Sequence, residues 1–381
     1  MKKTTKVMLI TGASIIAVGV VFTTVGLVRG SSTSVGTAEN YEKKVYDFSD
    51  DINNIKIKNS SHDVTFVKSD DKDTHVTVYD SDSIKHFVDV SSDTLNIDYE
   101  QKMISTHFFF NINLNNTRIP YIEVALPEDQ YDSLVIDMSS AELYSPSDFT
   151  FDDTKITTSS GDIQYASKAT DRLEIKTSSG NVNLESTGAD ITSINTTSGD
   201  VFIKEISAGN LDIKTSSGNI TGDTPDAKSI SLEATSGDIQ FKDVKCEKGF
   251  EADTSSGGIK VNNITATDVR FSSTSGDQLI EDGTFTGSGN FKTSSGELDL
   301  NDCSFKDLQT SCNSGDFSFK ELTVEEGAVT ETSSGEVTGT VTCDFFYVTK
   351  TSSGDVKTPE SAKIDREFRI TTSSGDISIK K

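Results

Sequence analysis

The sequence predicts an all-β fold, a single-stranded parallel β-helix, and three observations carry that prediction. The first is a Ser-Gly turn that returns twelve times, with glycines at 161, 180, 199, 218, 237, 257, 276, 296, 315, 335, 354 and 375. Its spacing stays within 19 to 21 residues, and a period in that range held so closely is the mark of a solenoid. The second is the pattern around each glycine. Two residues after it the chain places Ile163, Val182, Val201, Ile220 and their equivalents, apolar in eleven of twelve coils. Five and seven residues before it stand Ile156, Ile175, Leu173 and Leu211 with their equivalents. Apolar positions two apart with polar residues between them are strand patterning, and helical spacing is absent. The third is the lack of a hexapeptide repeat, which sets aside left-handed helices. Crossovers between parallel strands favour the right hand, so a right-handed winding is expected.

Each coil then reads as strand, tight turn, second strand and looser return. The position three before the glycine is Thr in nine coils, among them Thr158, Thr177 and Thr196. It shares the inward parity, so a ladder of threonine hydroxyls bonded along the stack is possible there. The invariant serine suits a turn. The glycine supplies either a positive φ or room for a close backbone approach. No coil buries its own apolar face alone, so stacking must stabilise the fold. At ~4.8 Å per strand, twelve coils would span ~55 Å.

Taken in chain order, residues 1–6 form a short cytoplasmic tail carrying Lys2, Lys3 and Lys6. Residues 7–28 are uncharged, VMLITGASIIAVGVVFTTVGLV, long enough at ~1.5 Å per residue to cross a bilayer as a transmembrane helix. The lysines keep the N-terminus inside, which places the bulk of the chain outside the cell membrane. The competing reading is a cleaved signal ending near Ala38, although the apolar run is long for one. Residues 29–40 read as a flexible linker. Residues 41–133 form an N-terminal β cap with a first degenerate coil, IKIKNSSHDVTF, in which His62 takes the place of glycine. Histidine tolerates left-handed backbone better than most residues, so a turn role is expected for it. Residues 134–381 are the repeat helix, opened by a second degenerate coil with Ala141 at the turn. The last coil ends six residues past Gly375. Its Ile377 and Ile379 face inward, and it is expected to expose an open edge guarded only by Lys380 and Lys381.

Formal net charge is −25, from 35 basic and 60 acidic residues. Such a surface repels nucleic acid and anionic lipid, and no nucleic-acid motif is present. The cysteines Cys246, Cys303, Cys312 and Cys343 match no zinc spacing and read as small core residues. The four histidines, His62, His75, His86 and His107, all lie in the N-terminal part. Their spacing defines no nucleophile–base pair, and no catalytic or cofactor-binding residue emerges.

Two features stand out as candidate sites. One is the file of residues directly after each glycine, where nine of twelve positions are Asp or Glu. Carboxylates ~5 Å apart in water repel by ~0.8 kcal/mol per pair. They must therefore splay into solvent, accept hydrogen bonds, or hold cations. Asp277, Asp316, Asp355 and Asp376 are the candidate ligands for Ca²⁺, which wants six to eight oxygens. The other is Phe108, Phe109 and Phe110 in the cap. Strand alternation sends the middle ring and its two neighbours to opposite faces, so the run is either buried on both or exposes a partner-binding or membrane-touching tip.

A Lys-led N-terminus, one apolar span, IKIKNSSHDVTFV, a VALPE strand and then many SSGDI turns together resemble the bacterial putative-adhesin β-strand-repeat family, a domain of unknown function. The resemblance covers about residues 45–381. It implies a non-enzymatic β-helix displayed at the cell surface as a binding or scaffold module for an envelope component, and it carries over no catalytic residue. The alternatives are a sensor or regulator of envelope stress and, third, an enzyme acting on cell-wall glycan.

Overall fold

The computed structural model describes residues 41–102 and 120–381. The span expected over residues 7–28 and the linker over 29–40 lie outside them. Among the described residues every regular element is a β-strand and no helix occurs. All strands join one hydrogen-bonded system, so the fold is the all-β solenoid that the repeat predicts.

The regular stretch runs from the Gly161 coil to the Gly335 coil. Strands before and after each glycine pair in parallel with their equivalents in the next coil, as in Ile156↔Ile175, Ile175↔Ile194 and Ile194↔Ile213. On the other side of the turn Ile163, Val182, Val201, Ile220 and Ile239 pair in one unbroken file. These side chains form one continuous buried core, which an aromatic stack extends through Phe250, Phe271, Phe291 and Phe305. Burying each such ring contributes about 1.5–3 kcal/mol, and every coil shares that burial with its neighbours. The cysteines behave as expected: all four are free, three of them buried. Burial pushes the Cys303 and Cys312 thiols up to about 12.

The turn glycines are required by close approach and not by backbone twist, since no described glycine has a positive φ. A Cβ on Gly237 would stand 1.8 Å from the carbonyl oxygen of Gly218 in the coil beneath. The threonine column works inside its own coil. Thr177 Oγ1 accepts the Gly180 N–H at 3.0 Å, and Thr196, Thr215, Thr293 and Thr332 do the same for their glycines. The ladder of bonded threonine hydroxyls is therefore replaced by a file of closed turns. Left-handed backbone appears elsewhere, six residues after the glycine. Ser186, Glu205, Thr224, Asp243, Asn263, Asp282, Asp302 and Glu321 hold φ between 52° and 61° in eight successive coils. A non-glycine residue held there costs roughly 1–2 kcal/mol, which the stacked sheets on either side hold in place.

At both ends the stacking order departs from the chain order. The N-terminal strands are β1 (Glu42–Phe48), β2 (Asn54–Asn59), β3 (Asp63–Lys68), β4 (Thr74–Asp80), β5 (Ile84–Ser91), β6 (Thr94–Gln101), β7 (Tyr121–Leu126), β8 (Gln130–Met138) and β9 (Leu143–Ser145). The first coil, β2 and β3, lies between two others. It pairs in parallel with β8 and β9 on one side and with the later β6 and β7 on the other. Antiparallel strands then extend the edge, β5 on β6, and β4 on β7 followed by β1 on β4.

The last coil repeats this device. Glu367–Thr371 and Ile377–Lys380 pair with the Gly335 coil on one side and, on the other, with Phe346–Lys350 and Val356–Lys357 of the Gly354 coil. The expected open edge at Ile377 and Ile379 is thus corrected. Both are buried, and the coil has a neighbour on each face. Lys381 pairs with Asp344. The outermost described coil is the one around Gly354, closed by the buried Phe345.

Candidate functional site

The acid file turns out to be a hydrogen-bonding ladder. Where the residue after the turn glycine is Asp or Asn and a further coil is stacked on it, its side-chain oxygen accepts the backbone N–H of its equivalent in that coil. The run from Asp162 goes to Asn181 N at 2.9 Å, from Asn181 to Asp200 N at 3.0 Å, from Asp200 to Asn219 N at 2.7 Å and from Asn219 to Asp238 N at 2.9 Å. Asp63 of the first coil does the same for Glu142 N at 2.9 Å. Of the four residues singled out as Ca²⁺ candidates, Asp277 accepts from Glu297 N, Asp316 from Glu336 N and Asp376 from Asp355 N. Asp355, in the outermost described coil, accepts from no further coil. Bonds to a carboxylate are roughly twice as strong as neutral ones, which explains how like charges stay in one file. Asp and Asn have the reach, while Glu297 and Glu336 enter only as N–H donors. Among the described residues no three His, Cys, Asp or Glu side chains converge on a metal position.

Phe108, Phe109 and Phe110 lie outside the described residues.

The structure assembles a cluster that sequence spacing did not reveal. His62 at the first turn and His86 on β5 are both buried, with ring centroids 4.8 Å apart. Asp80, at the end of β4, is buried beside them. Its Oδ1 meets His86 Nδ1 at 3.0 Å and accepts the His86 backbone N–H at 2.8 Å, and its Oδ2 accepts from Lys44 Nζ at 2.6 Å. Burial alone would raise the Asp80 carboxyl, but Lys44 and the two His86 bonds outweigh it and hold it below its ordinary value. Burial pushes His86 below the usual imidazole value despite Asp80, and Lys44 adds to the effect. The side chains of Asp80 and His86 are 0 % exposed. The set therefore ties β1, β4 and β5 onto the first coil and offers no face to a substrate. His62 is not among the residues of positive φ. Its expected left-handed turn role is replaced by one as a buried partner of His86.

His75 makes a second, exposed tie. Its Nδ1 meets Asp47 of β1 at 2.7 Å and its Nε2 meets Asp71 at 3.0 Å. These two carboxylates raise its pKa.

A solenoid of Ser-Gly coils with an antiparallel N-terminal edge and a hydrogen-bonded acid ladder defines a β-repeat scaffold. The chain belongs to the Toastrack DUF4097 family, which matches residues 52–243 and 223–380. No curated protein matches it. Among solved structures it is similar to a putative adhesin from Bacteroides fragilis NCTC 9343, at 20% identity over 63% of this chain and 96% of that one, with a TM-score of 0.36. It is also similar to a putative cell adhesion protein from Clostridium sporogenes ATCC 15579, at 10% identity over 89% and 99% of the two chains, TM-score 0.18. A third is a putative lipid binding protein from Parabacteroides distasonis ATCC 8503, at 15% identity over 90% and 97%, TM-score 0.20. Likeness at these scores assigns no activity.

Proposed function

We propose that this chain is a non-enzymatic binding or scaffold module of the cell surface. Residues 7–28 would anchor it in the membrane, and a right-handed solenoid would be presented outward. The observation that carries the non-enzymatic reading is the closure of the buried histidine cluster. His86 and Asp80, the one acid–base pair drawn together among the buried described residues, have no exposed side-chain surface, whereas a general base must reach its substrate within hydrogen-bond distance. Two further facts support display: an acidic composition of net charge −25, which keeps a protein soluble and apart from nucleic acid, and a long series of stacked parallel strands. The partner is an envelope or surface component.

The test is retention of the detergent-solubilised full chain on native cell envelope, together with protease treatment of cell-wall-free protoplasts. Retention on the envelope, with the region after residue 40 removed by protease and the lysine-bearing N-terminus protected, is the expected result. Absence of retention, or a soluble form beginning near Glu39, would overturn the reading.

A further inference from the structure

We propose that the solenoid carries a binding face for a linear, uncharged polysaccharide, along the file of outward side chains three residues after the turn position, from Tyr144 to Gln240. This deepens the surface-binding reading above and rests on it. Successive parallel pairings set Tyr144 beside Gln164, Gln164 beside Asn183, Asn183 beside Phe202, Phe202 beside Thr221 and Thr221 beside Gln240. Six consecutive coils thus present no charge along this line, in a chain whose net charge is −25.

The two rings are exposed, Tyr144 at 48% and Phe202 at 39%. They stand three strand spacings apart, roughly 14 Å. Between them lie two amides. Several other outward polar groups in these coils are engaged. Asn181 and Asn219 cap neighbouring turns, and Glu185–Lys204 at 2.6 Å and Asp223–Lys242 at 2.8 Å are ion pairs along the adjoining file. By contrast, the Gln164, Asn183 and Gln240 side-chain amides hydrogen-bond to no other described residue.

The chemistry selects the ligand. Exposed aromatic faces offer apolar area and a negative quadrupole to C–H groups, and free amides both donate to and accept from hydroxyls. An anionic polymer gains nothing from an uncharged line beside the Asp162, Asp200 and Asp238 carboxylates. A purely apolar partner would leave the amides unpaired, at a cost of about 1–3 kcal/mol each. A neutral sugar chain satisfies both. An extended one advances by about one strand spacing per ring, so it stays in step with the coils, and the file ends where Lys260 follows Gln240.

The experiment titrates the detergent-solubilised full chain with chitohexaose and cellohexaose by calorimetry, with polygalacturonate as the anionic counterpart. Binding of at least one neutral hexasaccharide is expected. The double variant Tyr144→Ala/Phe202→Ala should weaken it roughly tenfold or more, a loss of about 1.4 kcal/mol. Tyr144→Phe should retain it. Ile191→Ala, which removes an equally exposed side chain (43%) from the strand before the turn, should leave it unchanged. Because both rings are exposed, the double variant should keep the wild-type circular dichroism and melting temperature, so a loss of binding is read as a loss of the face. Three results would overturn the proposal: neither hexasaccharide binds, the double variant binds as wild type, or polygalacturonate binds as tightly. Retention on native envelope without hexasaccharide binding sinks this inference and leaves the surface-binding reading standing; failure of both removes both.

Discussion

In the middle of the stack each coil lies on the one that precedes it in the chain; at the two ends it does not. From Gly161 to Gly335 chain order and stacking order coincide. At one end the first coil sits beneath strands β6 and β7, which come later in the sequence. At the other the last coil sits beneath the Gly354 coil, which comes earlier. A repeat contacts only its neighbours, so its terminal members need a closing device. Here the first and last coils are each held between two others, and the outermost layer is a segment tethered at both of its ends. Closure is incomplete all the same. Among the described residues, six of the ten exposed large apolar side chains, Tyr41, Val45, Phe87, Phe346, Val356 and Ile364, belong to these end layers, so the ends are where local opening should begin.

The largest expected contrast comes from the turn glycines. Gly237→Ala would drive a Cβ to 1.8 Å from the Gly218 carbonyl oxygen, with coils fixed on both sides. It should destabilise by more than about 3 kcal/mol in urea unfolding. Gly354→Ala meets the Gly375 oxygen at 2.4 Å in a layer with one described neighbour. That layer has room to shift, so about 1 kcal/mol is expected. Equal losses at the two sites would show that the outer coil is as rigidly held as the middle.

Next is the tucked coil against the layer that covers it. Phe368, buried and packed on Phe319 and Phe345, should cost roughly 3–5 kcal/mol on change to Ala. Val356→Ala, at a side chain 42% exposed, should stay within about 0.5 kcal/mol. A mild Phe368→Ala would mean that the last coil contributes little to the stack.

A third contrast is pH, because the described histidines are all at the N-terminal end. His86 has a lowered folded pKa. Its contribution is present above the unfolded value of about 6.5 and is lost as pH falls from there through the folded value. His75 has a raised one, so its contribution is present below about 6.5 and is lost as pH rises through the folded value. Once corrected for intrinsic exchange rates, amide hydrogen exchange in β4 to β6 should be slowest near neutrality and faster on either side, while the Gly199 to Gly276 coils hold constant between pH 5 and 8. A flat profile in β4 to β6 would contradict the two histidine ties.

The smallest effect is in the ladder. Asp200→Ala removes the acceptor for Asn219 N and should cost about 1 kcal/mol. Asp355→Ala, in the outermost described coil, should be close to neutral.

Much of this was legible from the chain. The glycine spacing, the inward files and the all-β class follow from residue patterns, because backbone contact and core burial impose them at every coil. Three things were hidden. The left-handed column is filled by Ser, Glu, Thr, Asp and Asn in turn and never by glycine, so the usual marker of positive φ is missing. The cluster of His62, Asp80 and His86 joins a turn and the strands β4 and β5, which share no repeat. The order of the end coils is degenerate in the pattern itself. Ile377 two residues after Gly375 and Val356 two residues after Gly354 carry the same register marks, so either coil fits on the Gly335 coil by pattern alone. The acid file was visible as charges, but its geometry as N–H acceptors needed the register between coils.

The central claim, that the last coil lies between the Gly335 and Gly354 coils, is tested most directly by disulfide trapping in a Cys343→Ser background. Thr338 and Ser378 are parallel partners on adjacent strands, about 4.8 Å apart in the hydrogen-bonding direction. Thr338 and Lys357 are two layers apart, roughly 10 Å, beyond the reach of a disulfide. Thr338→Cys/Ser378→Cys should therefore oxidise to an intramolecular disulfide, and Thr338→Cys/Lys357→Cys should remain reduced. The opposite outcome would restore the simple chain order and contradict the account.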